Sequence, residues 1–269
     1  MKYIVLLSVL SVFNVSVWAD RIDDIVARGE LLVAVKTDYK PYGYLNAESN
    51  IVGIEPELAA DVADKLGVKL VLVSVVSSNR MEFVSSGKVD LMIATMTDKP
   101  DRRKVVLTSD PNYYSSGTNV IARKDLDLNQ WQDLFGKTVC GVDGAFYNQS
   151  TQETYGAEIL TFKTTQGALA ALKLGKCSAF VFDDSYIAGL LTDTELASVY
   201  EMPFETIDDA PWALAVGKGE DRFHTVMNEM IVDWHKTGRI LGLEAKYGIK
   251  NTSFAVRMHQ KYNEILKVH

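Results

Sequence analysis

The feature that most constrains this chain is the alternation of short, unbroken apolar runs with longer stretches of helical periodicity. Leu31–Val35 reads LLVAV, a run without polar interruption, as a strand buried on both faces requires. Gly53 to Leu66 then carries Leu58, Val62 and Leu66 at helical spacing, and Gly67 stops it. Leu70–Val76 reads as a second strand, Met81–Ser86 as a short helix closed by Gly87, and Leu91–Ala94 as a third strand. The pattern returns downstream. Asn119–Ala122, Thr138–Val142, Ile159–Phe162, Ala179–Phe182 and Trp212–Val216 read as strands. Asn148–Tyr155, Thr165–Leu174 and Asp221–Thr237 read as helices. Strands alternating with helices imply an α/β chain with largely parallel sheets.

The first nineteen residues stand apart from that pattern. Lys2 supplies a positive start, Ile4 to Val17 is nearly all apolar, and Val17 and Ala19 fit the small-residue rule of a signal-peptidase site. Residues 1–19 are therefore expected to be a signal peptide. The alternative, a membrane anchor, needs about 20 apolar residues, more than this run offers. No Cys lies near the cleavage site, so lipid attachment there is not expected. The remainder is expected to be periplasmic and monomeric.

Two polar stretches, Tyr113–Gly117 (YYSSG) and Asp208–Pro211 (DDAP), break the alternation. If the chain crosses between two lobes at both, residues 20–116 with 211–269 form a discontinuous first lobe and 117–210 form an inserted second one. The chain's 269 residues are enough for two lobes. Only two cysteines are present, Cys140 and Cys177, both at predicted strand starts. A disulfide between them would stabilise the fold by roughly 4 kcal/mol in the chain-entropy model. The other reading is two buried thiols.

Much chemistry is excluded. The net charge is −7 and no basic run exists, which argues against nucleic acid as a partner. The four histidines, His224, His235, His259 and His269, show no metal-ligand spacing. Gly136-Lys137-Thr138 looks like the end of a phosphate loop, but Trp131 stands where that loop needs glycine. No nucleophile elbow is present, and no metal or cofactor is expected.

The segment NRMEFVSSGKVDLMIATMTDKPDRRKVVLTSDP, Asn79 to Pro111, carries the most specific signal. It combines Asn79-Arg80, Gly87-Lys88-Val89-Asp90, Thr97 with Arg102, Val105-Val106 and Ser109-Asp110-Pro111 in one order. With Thr37-Asp38 and Pro41-Tyr42 upstream, and Gly175 to Ala179 followed by Asp183-Asp184 downstream, it resembles the polar amino-acid-binding proteins of ABC importers. These are type II extracellular solute-binding proteins of family 3. The resemblance covers essentially the whole chain after residue 20. It implies a two-lobe periplasmic-binding-protein fold, each lobe a mostly parallel sheet flanked by helices, joined by two hinge crossings. It implies an amino acid as ligand and an ABC permease as partner.

The resemblance also assigns roles. Arg102 would grip the ligand's α-carboxylate, as a planar, permanently charged fork suits. The Thr97 amide would assist it, while Thr97 Oγ1, the Thr95 carbonyl and Asp183 would meet the α-ammonium. Asp183 could equally be an ordinary helix N-cap. Gly144-Ala145-Phe146 precedes a helix, where amides bind anions. The family usually carries threonines there, so Phe146 and Tyr147 are a departure that narrows the pocket. Tyr39, Tyr42 and Tyr44 fall where the family places an aromatic wall. Asp38 is expected to face a glutamine-like or cationic side chain, whereas Arg80 is expected to face an acidic one. Lys99 replaces the family's usual threonine. Two rivals remain: a cyclohexadienyl dehydratase-like enzyme on the same fold, and a protein presenting its ligand to a sensory receptor.

Overall fold

The computed structural model describes residues 20–264, so the expected signal peptide lies outside the described residues. Helix α1 (Arg21–Arg28) leads into β1 (Glu30–Lys36). A small hairpin region follows, β2 (Asp38–Tyr39), β3 (Gly43–Leu45) and β4 (Ile51–Val52). Then come α2 (Ile54–Leu66), β5 (Lys69–Val75), α3 (Arg80–Ser85), β6 (Leu91–Thr97), α4 (Pro100–Arg103) and β7 (Leu107–Thr108). The chain continues through β8 (Tyr114–Arg123), β9 (Thr138–Val142), α5 (Tyr147–Tyr155), β10 (Glu158–Phe162), α6 (Thr165–Lys173) and β11 (Ala179–Asp183). It ends with α7 (Asp184–Leu190), α8 (Thr194–Val199), β12 (Tyr200–Glu201), β13 (Ile207–Val216), α9 (Asp221–Thr237), α10 (Arg239–Lys246) and α11 (Ser253–Glu264).

The main sheet runs β10-β9-β11-β8-β13-β6-β1-β5, with β12 added to β8 and β7 to β13. Its two ends are parallel: β1 pairs with β5 and β6, and β9 pairs with β10 and β11. These are the strands expected from apolar runs, and β6 and β11 are buried along their whole length. Helices must flank such strands, because both faces need apolar cover. Most expected boundaries hold, but β8 and β13 begin well before the expected Asn119 and Trp212. Helix α2 ends at Gly67, whose left-handed φ of 68° lets its N–H return to the Ala63 and Asp64 carbonyls. The parallel ends define two lobes.

The two polar stretches are not breaks. Tyr114–Gly117 lies inside β8 and Asp208–Pro211 inside β13, and the two strands pair antiparallel at Tyr114 to Ser116. Their polar residues find partners in each other and at the start of α7. Ser115 donates to Asp209, Ser116 Oγ donates to Asp184 Oδ1 at 2.7 Å, and the Gly117 N–H donates to the same oxygen at 2.9 Å. A polar sequence thus forms strand where side chains replace apolar burial with hydrogen bonds.

Cys140 and Cys177 form a disulfide, with their Cα atoms 5.6 Å apart. It ties β9 to the turn before β11, both in the second lobe. Behind the sheet centre, Trp212 is fully buried, with ring centroids of Tyr42 at 4.8 Å, Tyr114 at 5.2 Å and Tyr39 at 5.9 Å.

Candidate ligand cleft

The carboxyl ends of β1 and β6 in one lobe face the β9–α5 loop, the end of β11 and the start of α6 in the other. Open α/β sheets place their sites at strand ends of this kind. The sequence at those ends is rich in charge, yet the side chains are buried because the lobes meet over them.

Arg102 enters from α4, which starts at Pro100. Its Nη1 donates to the Thr97 carbonyl at 2.8 Å, and its Nη2 reaches across to the Gly144 carbonyl at 3.3 Å. Burial lowers its pKa, and Asp101, Tyr147 and Asp183 partly oppose that shift. Asp183 sits at the N-cap position of α7 without capping it. Its Oδ2 instead accepts from Tyr39 Oη of the first lobe at 2.7 Å. Burial pushes the Asp183 carboxyl up to about 7, although Tyr39, Lys36 and Arg80 favour its charge.

Thr95 and Thr97 are both buried at the end of β6. Thr95 has φ 47°, rare for a β-branched residue. Its N–H donates to Glu55 Oε1 at 2.6 Å, and its carbonyl accepts from Arg80 Nη1 at 3.0 Å. Arg80 also donates to the Ala94 carbonyl. Burial, and then the nearby Arg102 charge, brings its pKa down to about 10. Glu55 is fully buried below Thr95 and also accepts from Tyr113 Oη. Burial lifts its carboxyl to about 7, and its Oε2 finds no hydrogen-bond partner among the described residues.

Lys36 is the group that the sequence pattern hid. It directly follows the apolar run Leu31–Val35. Its side chain is 1% exposed, with Nζ 3.3 Å from Asp38 Oδ1 and 4.9 Å from the centre of the Tyr39 ring. Burial lowers its pKa against the pull of Asp38 and Asp183. Asp38 in turn is buried between Lys36 and the second lobe. Its Oδ2 accepts from the Thr165 N–H at 2.9 Å and from Thr165 Oγ1 at 3.0 Å.

Arg80, Thr95, Thr97, Arg102 and Asp183 therefore come together, with Asp38 beside them. Two tyrosines do not join them. Tyr42 belongs to the aromatic core, with its Oη bonded to Tyr114 Oη at 3.0 Å. Tyr44 instead lines a groove of about 1360 Å³ between the lobes, alongside Asp38, Lys40, Gln166, Asp184 and Tyr247. Tyr42 lies in the turn between β2 and β3, and the tyrosine whose hydroxyl reaches the Asp183 carboxylate is the one that ends β2, Tyr39. Tyr147 is also buried and feels Asp183, Arg80 and Arg102. Phe146 is half-buried, packed on Tyr147 at 5.0 Å, with Lys99 Nζ of the first lobe 4.3 Å from its ring centre. Among the described residues no group of His, Cys, Asp or Glu could hold a metal, and no helix is long and apolar enough to cross a membrane.

The arrangement offers a planar cation and a carboxylate from opposite lobes, supported by backbone carbonyls and hydroxyls. Known proteins share this chain's sequence and fold. It is 27% identical over 207 residues to the arginine-binding extracellular protein ArtP of Bacillus subtilis, covering 75% of this chain and 80% of that one. It is 28% identical over 216 residues to the glutamine-binding protein GlnH of the same organism, covering 78% of each. A crystal structure of a solute receptor for L-cysteine from Neisseria gonorrhoeae superposes with a TM-score of 0.80 at 26% identity, covering 87% of this chain and 98% of that one. A mutant of ArgBP from T. maritima gives a TM-score of 0.79 at 27% identity, covering 84% and 98%. The family model of the bacterial extracellular solute-binding proteins, family 3, matches residues 31–250, and the chain belongs to that family.

Proposed function

We propose that this protein binds a free L-amino acid between its lobes and delivers it to an ABC permease. The observation that carries this reading is the meeting of Arg102 and Asp183 from opposite lobes in one buried cleft. A zwitterion needs these two groups at its two ends. The ligand's ammonium takes Asp183 in exchange for Tyr39 Oη, and its carboxylate takes Arg102. Lobe closure is the accompanying motion. The lobes are residues 20–116 with 211–269, and residues 117–210. The protein is exported by residues 1–19, works in the periplasm without a lipid anchor, and acts as a monomer.

The cleft selects against cationic side chains. Lys36, Arg80 and Arg102 are all buried there, and Lys36 neutralises Asp38, the acid expected to meet a ligand cation. A neutral polar or acidic amino acid therefore fits.

A thermal-shift screen of the twenty amino acids tests both statements. A ligand at a hundred times its Kd stabilises by about 2.7 kcal/mol. A best response to arginine or lysine refutes the charge argument. No response to any amino acid by a folded protein refutes the binding reading. Arg102→Ala should abolish the shift. The dehydratase alternative is served by one structural neighbour, an ancestral amino-acid-binding protein described as a precursor of cyclohexadienyl dehydratase, at 25% identity. Glu55, a carboxyl near 7, is turned toward Thr95 and Tyr113 rather than the cleft, which counts against it as a general acid. Turnover of prephenate or arogenate would reverse that judgement.

A further inference from the structure

We infer that Asp38 is a positioning residue: it latches the first lobe onto helix α6 of the second and thereby sets ligand affinity without touching the ligand. The inference rests on the reading of the cleft as a binding site that closes.

The argument begins with α6. The first N–H groups of a helix have no partner within it. Thr164 caps the Gly167 N–H from within the second lobe at 3.1 Å. The Thr165 N–H is left, and Thr165 is fully buried, so it needs an acceptor. That acceptor comes from the other lobe, through the Asp38 oxygen that also takes Thr165 Oγ1. Gln166 Nε2 adds a bond to the Asp38 backbone carbonyl at 3.3 Å. A carboxylate at a helix N-terminus is favoured by the helix dipole as well. Asp38 keeps Lys36 as its counter-charge within the first lobe, so the acid stays compensated when the lobes part.

The other cross-cleft bonds behave differently. Tyr39–Asp183 and Arg102–Gly144 use groups that the ligand claims. The Asp38–Thr165 pair uses none of them. It therefore favours closure equally with or without ligand. Apparent affinity equals intrinsic affinity multiplied by the closed fraction, so the latch scales binding of every ligand by one factor.

The test uses the full exported chain with Asp38→Ala, Asp38→Asn and Thr165→Val. Lobe separation is read without ligand by single-molecule energy transfer between dyes on the two lobes, and affinities for a panel of amino acids by calorimetry. Asp38→Ala should widen the mean separation and weaken every binding amino acid by a common factor of about ten. Asp38→Asn retains an acceptor for the Thr165 N–H and should recover part of the loss. Thr165→Val removes one hydroxyl and should weaken binding by a few-fold in the same direction. If Asp38→Ala does not fold, the other two variants carry the test. A change in the ranking of amino acids would make Asp38 a ligand contact and overturn the proposal. Unchanged lobe separation in the folded variants would overturn it too. If the wild type binds no amino acid, the binding reading fails, while the separation measurement still decides whether the latch exists.

Discussion

Gly144→Ala should separate folding from closure. Gly144 has φ 77°, in the left-handed region. A Cβ built there would lie 2.8 Å from Ser78 Cα and 2.9 Å from both the Ser77 carbonyl carbon and its oxygen. Carbon atoms in good contact sit about 3.5–4.0 Å apart, and the obstruction is backbone rather than a flexible side chain. Alanine therefore carries two penalties. The left-handed conformation costs about 1–2 kcal/mol whether the lobes are open or closed. The clash arises only when the second lobe comes down on Ser77 and Ser78 of the first. Overpacking of this kind costs about 1–3 kcal/mol, and it falls on the closed state alone. Amino-acid affinity should fall by about 5- to 150-fold. Melting without ligand should fall by only a few degrees, since about 1 kcal/mol is worth about 2–4 °C in a chain of this size. Gly136→Ala is the control. It has φ 68°, nothing lies within 4 Å of its built Cβ, and it should lower melting while leaving affinity alone. Calorimetric titration with thermal melts of both variants decides the matter. If Gly144→Ala binds as tightly as Gly136→Ala, the Ser77–Gly144 contact is no part of the bound state and the reasoning fails.

Ligand binding should weaken as pH falls below about 7, by up to tenfold per unit, because the ligand's ammonium needs ionised Asp183 and burial holds that carboxyl near 7. Asp183→Asn should bind weakly at every pH, and a steep profile in that variant would move the titration elsewhere. The stability of the protein without ligand should run the other way between pH 5 and 8. Asp183 and Glu55 keep protons up to about 7 in the fold and release them near 4 when unfolded, so their contribution is full at low pH and is lost as pH rises through 7. Glu55→Gln should flatten part of that slope in melts across the range; an unchanged slope would clear Glu55 of the role. Removing the disulfide by Cys140→Ala with Cys177→Ala should cost roughly 4 kcal/mol in the chain-entropy model, seen as a lower melting temperature with affinity little changed. A large loss of affinity instead would tie the bond to the geometry of the second-lobe loop.

The parallel strands were legible because burial on both faces leaves only one kind of sequence, as in Leu31–Val35 and Ala179–Phe182. The strand character of the stretches read as crossings was not, because Ser115 and Ser116 of β8 find their partners, Asp209 and Asp184, 94 and 68 residues away. The terminal helices α1, α10 and α11 escaped as well. Helix α1 rests on two buried side chains, Ile22 and Ile25, which is too little pattern to read. Within the cleft, the groups at β6 and α4 were found through a resemblance in motif order. Tyr39 was placed in the aromatic wall together with Tyr42 and Tyr44, but nothing in the sequence told the three apart, and Lys36 was not singled out, because its surroundings come from the opposite lobe. A strand-ending lysine usually carries its charge to water; this one ends against Asp38 and beneath the second lobe.

The burial of Lys36 bears on which ligand the cleft accepts. Asp38 taken alone argues for a cation. Asp38 with Lys36 at 3.3 Å and the Thr165 N–H at 2.9 Å argues otherwise. A buried carboxylate already compensated by a lysine and a helix N-terminus offers little to a second cation, and the lysine's own charge repels it. Arg80 and Arg102 add further positive charge in the same enclosed space, where low dielectric strengthens each term. In the proposed reading an amino acid lies between the lobes. The side chain it carries is decided by three buried cations and by which acids remain unneutralised, and Asp183 is already assigned to the ligand's ammonium. Under the proposed latch, Asp38 acts through helix α6 of the second lobe and not as a selectivity determinant. Asp38 stands at the rim of the cleft because the lobes close there.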